Sequence, residues 1–166
     1  LPHGVVTTQN PKALAFDESG GLLYVLTDGT PYDKIVAVDP ATGVSSLEYN
    51  APDNAGEGLT FMGGYLYYAS NPTGACPPQC WGSEKTIFKL DPSDGSQQSD
   101  FVPQDEGGYG SIQDNLLALG NDGTNLLLTV SRWNDNRGCV HHIDPSNGDN
   151  QGRNCADFGA GLDEAR

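Results

Sequence analysis

Ile35-Val36-Ala37-Val38-Asp39-Pro40-Ala41-Thr42-Gly43 is a short apolar run closed by a turn, and the chain repeats it twice. The copies are Ile87-Phe88-Lys89-Leu90-Asp91-Pro92-Ser93-Asp94-Gly95 and Val140-His141-His142-Ile143-Asp144-Pro145-Ser146-Asn147-Gly148. Asp39 and Asp91 are 52 residues apart, and Asp91 and Asp144 are 53 apart. In each copy Asp caps its own turn, Pro fixes φ and Gly admits positive φ, so the run reads as a strand ending in a tight turn that leads to an antiparallel partner.

A second hairpin signal precedes each copy. Residues 13–16 and 22–26 flank Asp17-Glu18-Ser19-Gly20-Gly21, residues 59–61 and 65–69 flank Gly63-Gly64, and residues 116–119 and 125–130 flank Asn121-Asp122-Gly123. Each reads as strand, Gly turn, strand. A further strand after the Asp-Pro turn, at residues 44–49 and 96–102, brings the count to four short strands per repeat of about 50 residues, the arithmetic of a propeller blade. No stretch carries capped i, i+3, i+4 apolar periodicity, and 22 glycines and 11 prolines interrupt the rest, so very little helix is predicted.

Ala13-Leu14-Ala15-Phe16-Asp17-Glu18-Ser19-Gly20-Gly21-Leu22-Leu23-Tyr24-Val25, followed by the Asp39 turn, resembles the blades of the NHL, YVTN and gluconolactonase-like propeller group. The resemblance covers nearly the whole chain and implies a fold shared by binding modules and enzymes. The predicted layout is a strand and linker at 1–11, blade 1 at 12–56, blade 2 at 57–112, blade 3 at 113–160, and the start of a further strand at 161–166. The fold class is thus all-β: three four-stranded antiparallel blades forming an incomplete propeller, or part of a larger or oligomeric one.

Propellers close with about four to eight blades, so three leave apolar lateral faces that call for a partner. That partner is further blades of a longer chain, a second copy closing a six-bladed ring, or copies running head to tail into a filament. Val5, Val6, Thr7 and Thr8 resemble an outer strand detached from its blade, able to complete a neighbour by strand addition; the competing reading is an ordered tail on the same chain. Leu1 in place of a methionine reads as a processed or excised product.

With 22 acidic against 8 basic residues, the chain carries a formal charge of -14, which disfavours nucleic acid and anionic lipid as partners. Such a surface attracts divalent cations or basic partners, or serves solubility alone. No apolar run approaches the ~20 residues that span a bilayer. Four cysteines fall into two local pairs, Cys76 with Cys80 and Cys139 with Cys155, whose spacings do not fit a zinc knuckle. Two disulfides and a secreted or cell-surface setting are expected.

Several residues could carry chemistry. Gly56-Glu57-Gly58-Leu59-Thr60-Phe61 is similar to the motif at which gluconolactonase-like propellers place a metal-binding glutamate, and the resemblance implies Glu57, with Asn115 from a corresponding position, as ligands for a divalent cation such as Ca2+. The plainer reading makes Glu57 a channel-lining or turn residue. Asp28, Asp33, Trp81, Trp133, Asn134 and Asp135 lie on the loops after each second strand, where aromatic rings can stack on a sugar and carboxylates can hold calcium. Turn chemistry accounts for the same Asn and Asp residues without a ligand. His141 and His142 face opposite sides of one strand, and no phosphate loop, GxSxG elbow or HExxH helix is present. The chain therefore reads as a non-catalytic secreted binding or assembly module, with a lactonase-like propeller hydrolase or lyase using a metal near Glu57 as the alternative.

Overall fold

The computed structural model describes residues 10–71, 85–105, 112, 115–132 and 137–157. Twelve strands are present among them, in three four-stranded sheets with the orders β1-β2-β3-β4, β5-β6-β7-β8 and β9-β10-β11-β12. Blade 1 holds β1 (Pro11–Asp17), β2 (Leu22–Thr27), β3 (Lys34–Val38) and β4 (Ser45–Asn50). Blade 2 holds β5 (Gly56–Met62), β6 (Tyr65–Ser70), β7 (Thr86–Leu90) and β8 (Gln97–Phe101). Blade 3 holds β9 (Asn115–Asn121), β10 (Leu126–Arg132), β11 (Arg137–Ile143) and β12 (Asn150–Asp157). All neighbouring strands pair antiparallel, and no described residue is helical.

The three Asp-Pro turns are built alike. The amides of Gly43, Gly95 and Gly148 donate to the carbonyls of Asp39, Asp91 and Asp144 at 2.7, 2.8 and 2.9 Å. Each Asp Oδ1 also accepts the amide two residues on, from Ala41, Ser93 or Ser146, at 2.8 Å. The closing glycines have φ of 70°, 75° and 83°, where a Cβ is strained.

The blades stand side by side with β1, β5 and β9 as adjacent inner strands. Ala15, Tyr24, Leu26, Ile35 and Ala37 of blade 1 pack with Leu59, Leu66, Tyr68 and Leu90 of blade 2. Tyr67, Ala69 and Ile87 on the other face of blade 2 pack with Leu116, Leu119, Leu126, Leu128, Val130 and Ile143 of blade 3. Alternation along each strand thus serves two interfaces, one per face, and each large side chain so buried contributes about 1.5–3 kcal/mol. Tyr24 stacks on Phe61 across the first interface, with ring centroids 6.1 Å apart.

Outer strands add a second contact. A Cβ on Gly95 would overlap the ring of Tyr49 on β4, and one on Gly148 would come within 2.7 Å of the ring of Phe101 on β8. An aromatic residue of one blade therefore rests on the turn glycine of the next.

Candidate functional site

The inner strands all begin at one end of the array, and each carries a bulge there. Register shifts at Pro11/Ala13, at Gly56/Gly58 and between Thr129 and Val130 leave Lys12, Glu57 and Leu117 as the extra residues. A bulge re-aims its side chain, so these three positions correspond. This corrects the expected ligand set: Leu117, not Asn115, occupies the place of Glu57, because Leu116 pairs with Val130 and Ala118 with Thr129. Asn115 lies two residues earlier, opposite Ser131.

Lys12 holds the centre of the first bulge. Its Nζ lies 3.0 Å from Asp28 Oδ1 and 3.1 Å from Asp33 Oδ2. Burial alone would lower the Lys12 pKa, but the hydrogen bonds and charges of Asp28 and Asp33 raise it above the usual lysine range. The Asp28 carboxyl is in turn held below its ordinary value, first by Lys12. Glu57, exposed on β5, is shifted up, chiefly by partial desolvation and further by the charges of Asp33 and Asp28, against the pull of Lys12.

Asp33, expected on a ligand-binding loop, is instead 1% exposed. Its Oδ2 accepts the amide of Gly56 at 3.0 Å and its Oδ1 the amide of Gly29 at 3.3 Å. Its backbone is equally engaged, donating to the Asp53 carbonyl at 2.9 Å and accepting from Ala51 at 2.8 Å. Asp53 takes hydrogen bonds from the Tyr68 and Ser70 hydroxyls, and its Oδ1 also accepts the Ala55 amide at 2.9 Å. Asp33 and Asp53 thus fasten the connector between blades 1 and 2. Blade 2 reverses the charges, with Glu57 at the Lys12 position and buried Lys85 at the Asp33 position, each just before its third strand.

These residues do not fit a hard cation at Glu57. The Lys12 ammonium already supplies the positive charge between the nearby carboxylates, Leu117 brings no donor, and among the described residues no group of three or more His, Cys, Asp or Glu converges. Trp81, Trp133, Asn134, Asp135, Cys76, Cys80 and residues 5–8 lie outside the described residues. Cys139 and Cys155 are bonded, directly opposite each other in the β11–β12 pair. His141 is buried with Nδ1 2.8 Å from Asn150 Nδ2, whereas His142 faces outward, 3.7 Å from Asp122 Oδ2 and 3.3 Å from Asn154 Nδ2.

The described residues also line open depressions. One, of about 510 Å³, lies at the opposite end of the inner strands between Phe16, Asp17, Phe61, Met62, Asn121 and Gly123. Another, of about 300 Å³, lies on the outer side of blade 3 around Asn125, His142, Gln151, Arg153 and Asn154.

The lateral faces are the most distinctive surface. Blade 2 packs on blade 1 through Leu59, Phe61, Leu66, Tyr68, Phe88 and Leu90. The strand registers place Leu14, Phe16, Leu23, Val25, Val36 and Val38 at the same six positions of blade 1, all apolar, on the face turned away from blade 2. Leu14 is 60% and Phe16 50% exposed, against 1% for Leu59. No described element from blade 2 or 3 covers this face, yet Val25, Val36 and Val38 are buried in a small cluster of their own with Leu23, so its exposed part is the inner-strand edge at Leu14 and Phe16.

The chain is three antiparallel blades of a β-propeller. Among solved structures it is similar to BamB from Moraxella catarrhalis (18% identity, TM-score 0.50, covering 87% of this chain and 38% of that one) and to Kuenenia stuttgartiensis hydrazine synthase (18%, 0.54, 89% and 38%). It is also similar to the Neurospora crassa Pan2 WD40 domain (16%, 0.51, 82% and 38%). The chain therefore spans less than two fifths of each of these chains, as expected of an incomplete propeller. No family model and no curated protein sequence matches it. The likeness establishes the propeller fold without singling out the NHL, YVTN or gluconolactonase group.

Proposed function

We propose that this chain is a non-catalytic β-propeller module of a secreted protein that works by packing its lateral faces against further blades. The observation that carries the reading is the exposure of Leu14 and Phe16 on a face whose counterpart in blade 2 is a buried blade-to-blade interface. An apolar surface of this kind in water is a binding surface. Self-association, head to tail into a ring or an extracellular filament, is the form we favour, because one chain carries both a leading and a trailing blade face.

The strand expected at residues 5–8 enters as an added contact between copies. β12 already fills the outer place in blade 3, so a strand donated there would be a fifth. The Cys139–Cys155 disulfide supports an oxidising, extracellular setting. Protein is the favoured partner class; sugar binding rests on Trp81 and Trp133 alone. The lactonase-like alternative needs a cation beside Glu57, where Lys12 stands.

Sedimentation velocity across a concentration series tests the assembly reading. Species heavier than the 17.5 kDa monomer are expected, and Leu14→Asp should abolish them. A wild-type chain that stays monomeric at every concentration would overturn self-association.

A further inference from the structure

The hairpin turns that follow β1, β5 and β9 border one depression, so all three blades contribute to its wall. Its side chains are Phe16, Asp17, Glu18, Phe61, Met62 and Asn121, and Gly63, Gly64 and Gly123 border it without adding one. The volume of about 510 Å³ lies in the range of small-ligand pockets.

The wall is held in place by the fold. Asn121 donates from Nδ2 to Thr60 Oγ1 at 2.7 Å and to the Phe61 carbonyl at 3.1 Å, and its Oδ1 accepts the Gly123 amide at 3.1 Å. The turn of blade 3 is thereby tied to the inner strand of blade 2. The Phe61 ring is fixed in turn by its stack on Tyr24 of blade 1.

Asp17 supplies the charge. It is 7% exposed, and its Oδ1 takes the Ser19 hydroxyl at 2.7 Å and the amides of Ser19 and Gly20 at 2.9 and 3.0 Å. Its Oδ2 lies over Gly20 and takes no hydrogen bond among the described residues. Burial pushes this carboxyl up, but the Ser19 hydroxyl and the amides of Gly20 and Ser19 outweigh it and hold it below the usual carboxylate range, so it is an anion at neutral pH. Glu18 stands exposed beside it, and among the described residues no lysine or arginine lines the depression.

We infer that this depression binds a small organic cation, with an ammonium group toward Asp17 and Glu18 and an apolar body against Phe16, Phe61 and Met62. An ammonium ion is attracted both by a carboxylate and by the face of an aromatic ring, and rings and a thioether suit the apolar part. An anion would meet two carboxylates. A hard divalent cation takes about six to eight oxygen ligands, and among the described residues no group of three or more His, Cys, Asp or Glu converges. The site lies at the end of the array opposite Lys12 and Glu57 and does not depend on association between copies.

Nuclear magnetic resonance titration of the 15N-labelled chain with 2-phenylethylammonium tests it. The controls are 3-phenylpropionate, which has a similar body and the opposite charge, and calcium chloride. The variants are Asp17→Asn, which keeps an acceptor oxygen for the turn, Glu18→Gln, and Phe16→Leu, which keeps the surface apolar but removes the ring. Amide shifts are expected at residues 17–20, 63–64 and 121–123. Affinity should fall at least about tenfold, equivalent to about 1.4 kcal/mol, for 3-phenylpropionate and for Asp17→Asn, and about threefold for Phe16→Leu. A circular-dichroism melt checks folding, and if Asp17→Asn is unfolded, the loss of affinity in Glu18→Gln carries the charge test. The inference is overturned if the ammonium causes no shifts at these residues, if the anion binds as well as the cation, if the folded charge variants bind like wild type, or if calcium produces the same shifts and displaces the ammonium.

Discussion

The Asp33 carboxylate reaches across from blade 1 to accept the backbone amide of Gly56, the first residue of the inner strand of blade 2, at 3.0 Å. With Lys12 on its remaining side, this buried acid couples two sheets whose shared core is apolar.

Removing one partner of a buried ion pair leaves the other charge uncompensated and costs about 3–5 kcal/mol. Asp33→Ala takes one of two carboxylates from Lys12 and strips the Gly29 and Gly56 amides of their acceptor, so it is expected to lower unfolding stability by that order and to uncouple blade 1 from blade 2. Lys12→Met should cost less, because Asp33 keeps its two amide donors. Urea denaturation with hydrogen exchange at Gly56 measures both, and equal losses in the two variants would refute this ranking.

Tyr68→Phe removes the hydroxyl that donates to Asp53 while keeping the buried ring. Asp53 keeps the Ala55 amide and the Ser70 hydroxyl, so the loss is that of one hydrogen bond to a charged acceptor, about 1.5–3 kcal/mol. The Tyr68 hydroxyl is pushed above the ordinary tyrosine range, by burial first and then by Asp53. Thermal melts of the variant at neutral pH give the comparison.

Glycine at the turn positions separates backbone strain from contact. Gly21, at φ 67°, has nothing within 4 Å of a Cβ, so Gly21→Ala should register only the left-handed penalty of about 1–2 kcal/mol. Gly95→Ala and Gly148→Ala add a collision with Tyr49 or Phe101 and should be clearly more destabilising. Chemical denaturation of the three variants in parallel decides whether the rim contacts carry energy.

The turn carboxyls make a prediction about acid. Asp39 is held below its usual value first by the Ala41 amide, and Asp91 and Asp144 first by the hydroxyls of Ser93 and Ser146. A depressed folded pKa means stability that is complete above the unfolded value of about 3.9 and is lost as pH falls through the folded value. Unfolding should therefore steepen below about pH 4, and the triple Asp→Asn variant at these positions should flatten that limb. Lys12, shifted up, acts at the other end: its contribution is complete below the unfolded lysine value and fades as pH rises through the folded one.

Cys139 and Cys155 close a loop with a separation of 16 residues and clamp the outermost strand of blade 3. Replacing both with serine should cost about 2–4 kcal/mol, with hydrogen exchange accelerating first in β12. Uniform acceleration across all three blades would contradict that local role.

The blades were legible in the sequence because their turns are local chemistry. Asp39, Asp91 and Asp144 each need only the next few residues to define a turn, and alternation did the rest for β2, β6 and β10. β12 was harder to see, since Asn150-Gln151-Gly152-Arg153-Asn154 carries no apolar alternation and is held by pairing to β11. Asp33 was misplaced for a different reason. Among Gly29, Pro31 and Tyr32 it looks like a surface loop acid, and only the return of Lys12 from another strand and of Gly56 from another blade makes its burial affordable. Glu57 and Asn115 likewise appeared equivalent until the bulge register set Leu117 in that place.

The reversed charges at the heads of the first two inner strands give each blade an address. Lys12 sits with the acids Asp28 and Asp33, and Glu57 of the following blade lies within reach of its field. Were the repeats made uniform, as tandem duplication tends to leave them, position 57 would carry a lysine and meet Lys12 together with the two acids that hold it, and the charge balance at the junction would change. The first two blades are thus distinguished by the charge at the head of the inner strand as well as by connectivity, and the third by Leu117, which carries none.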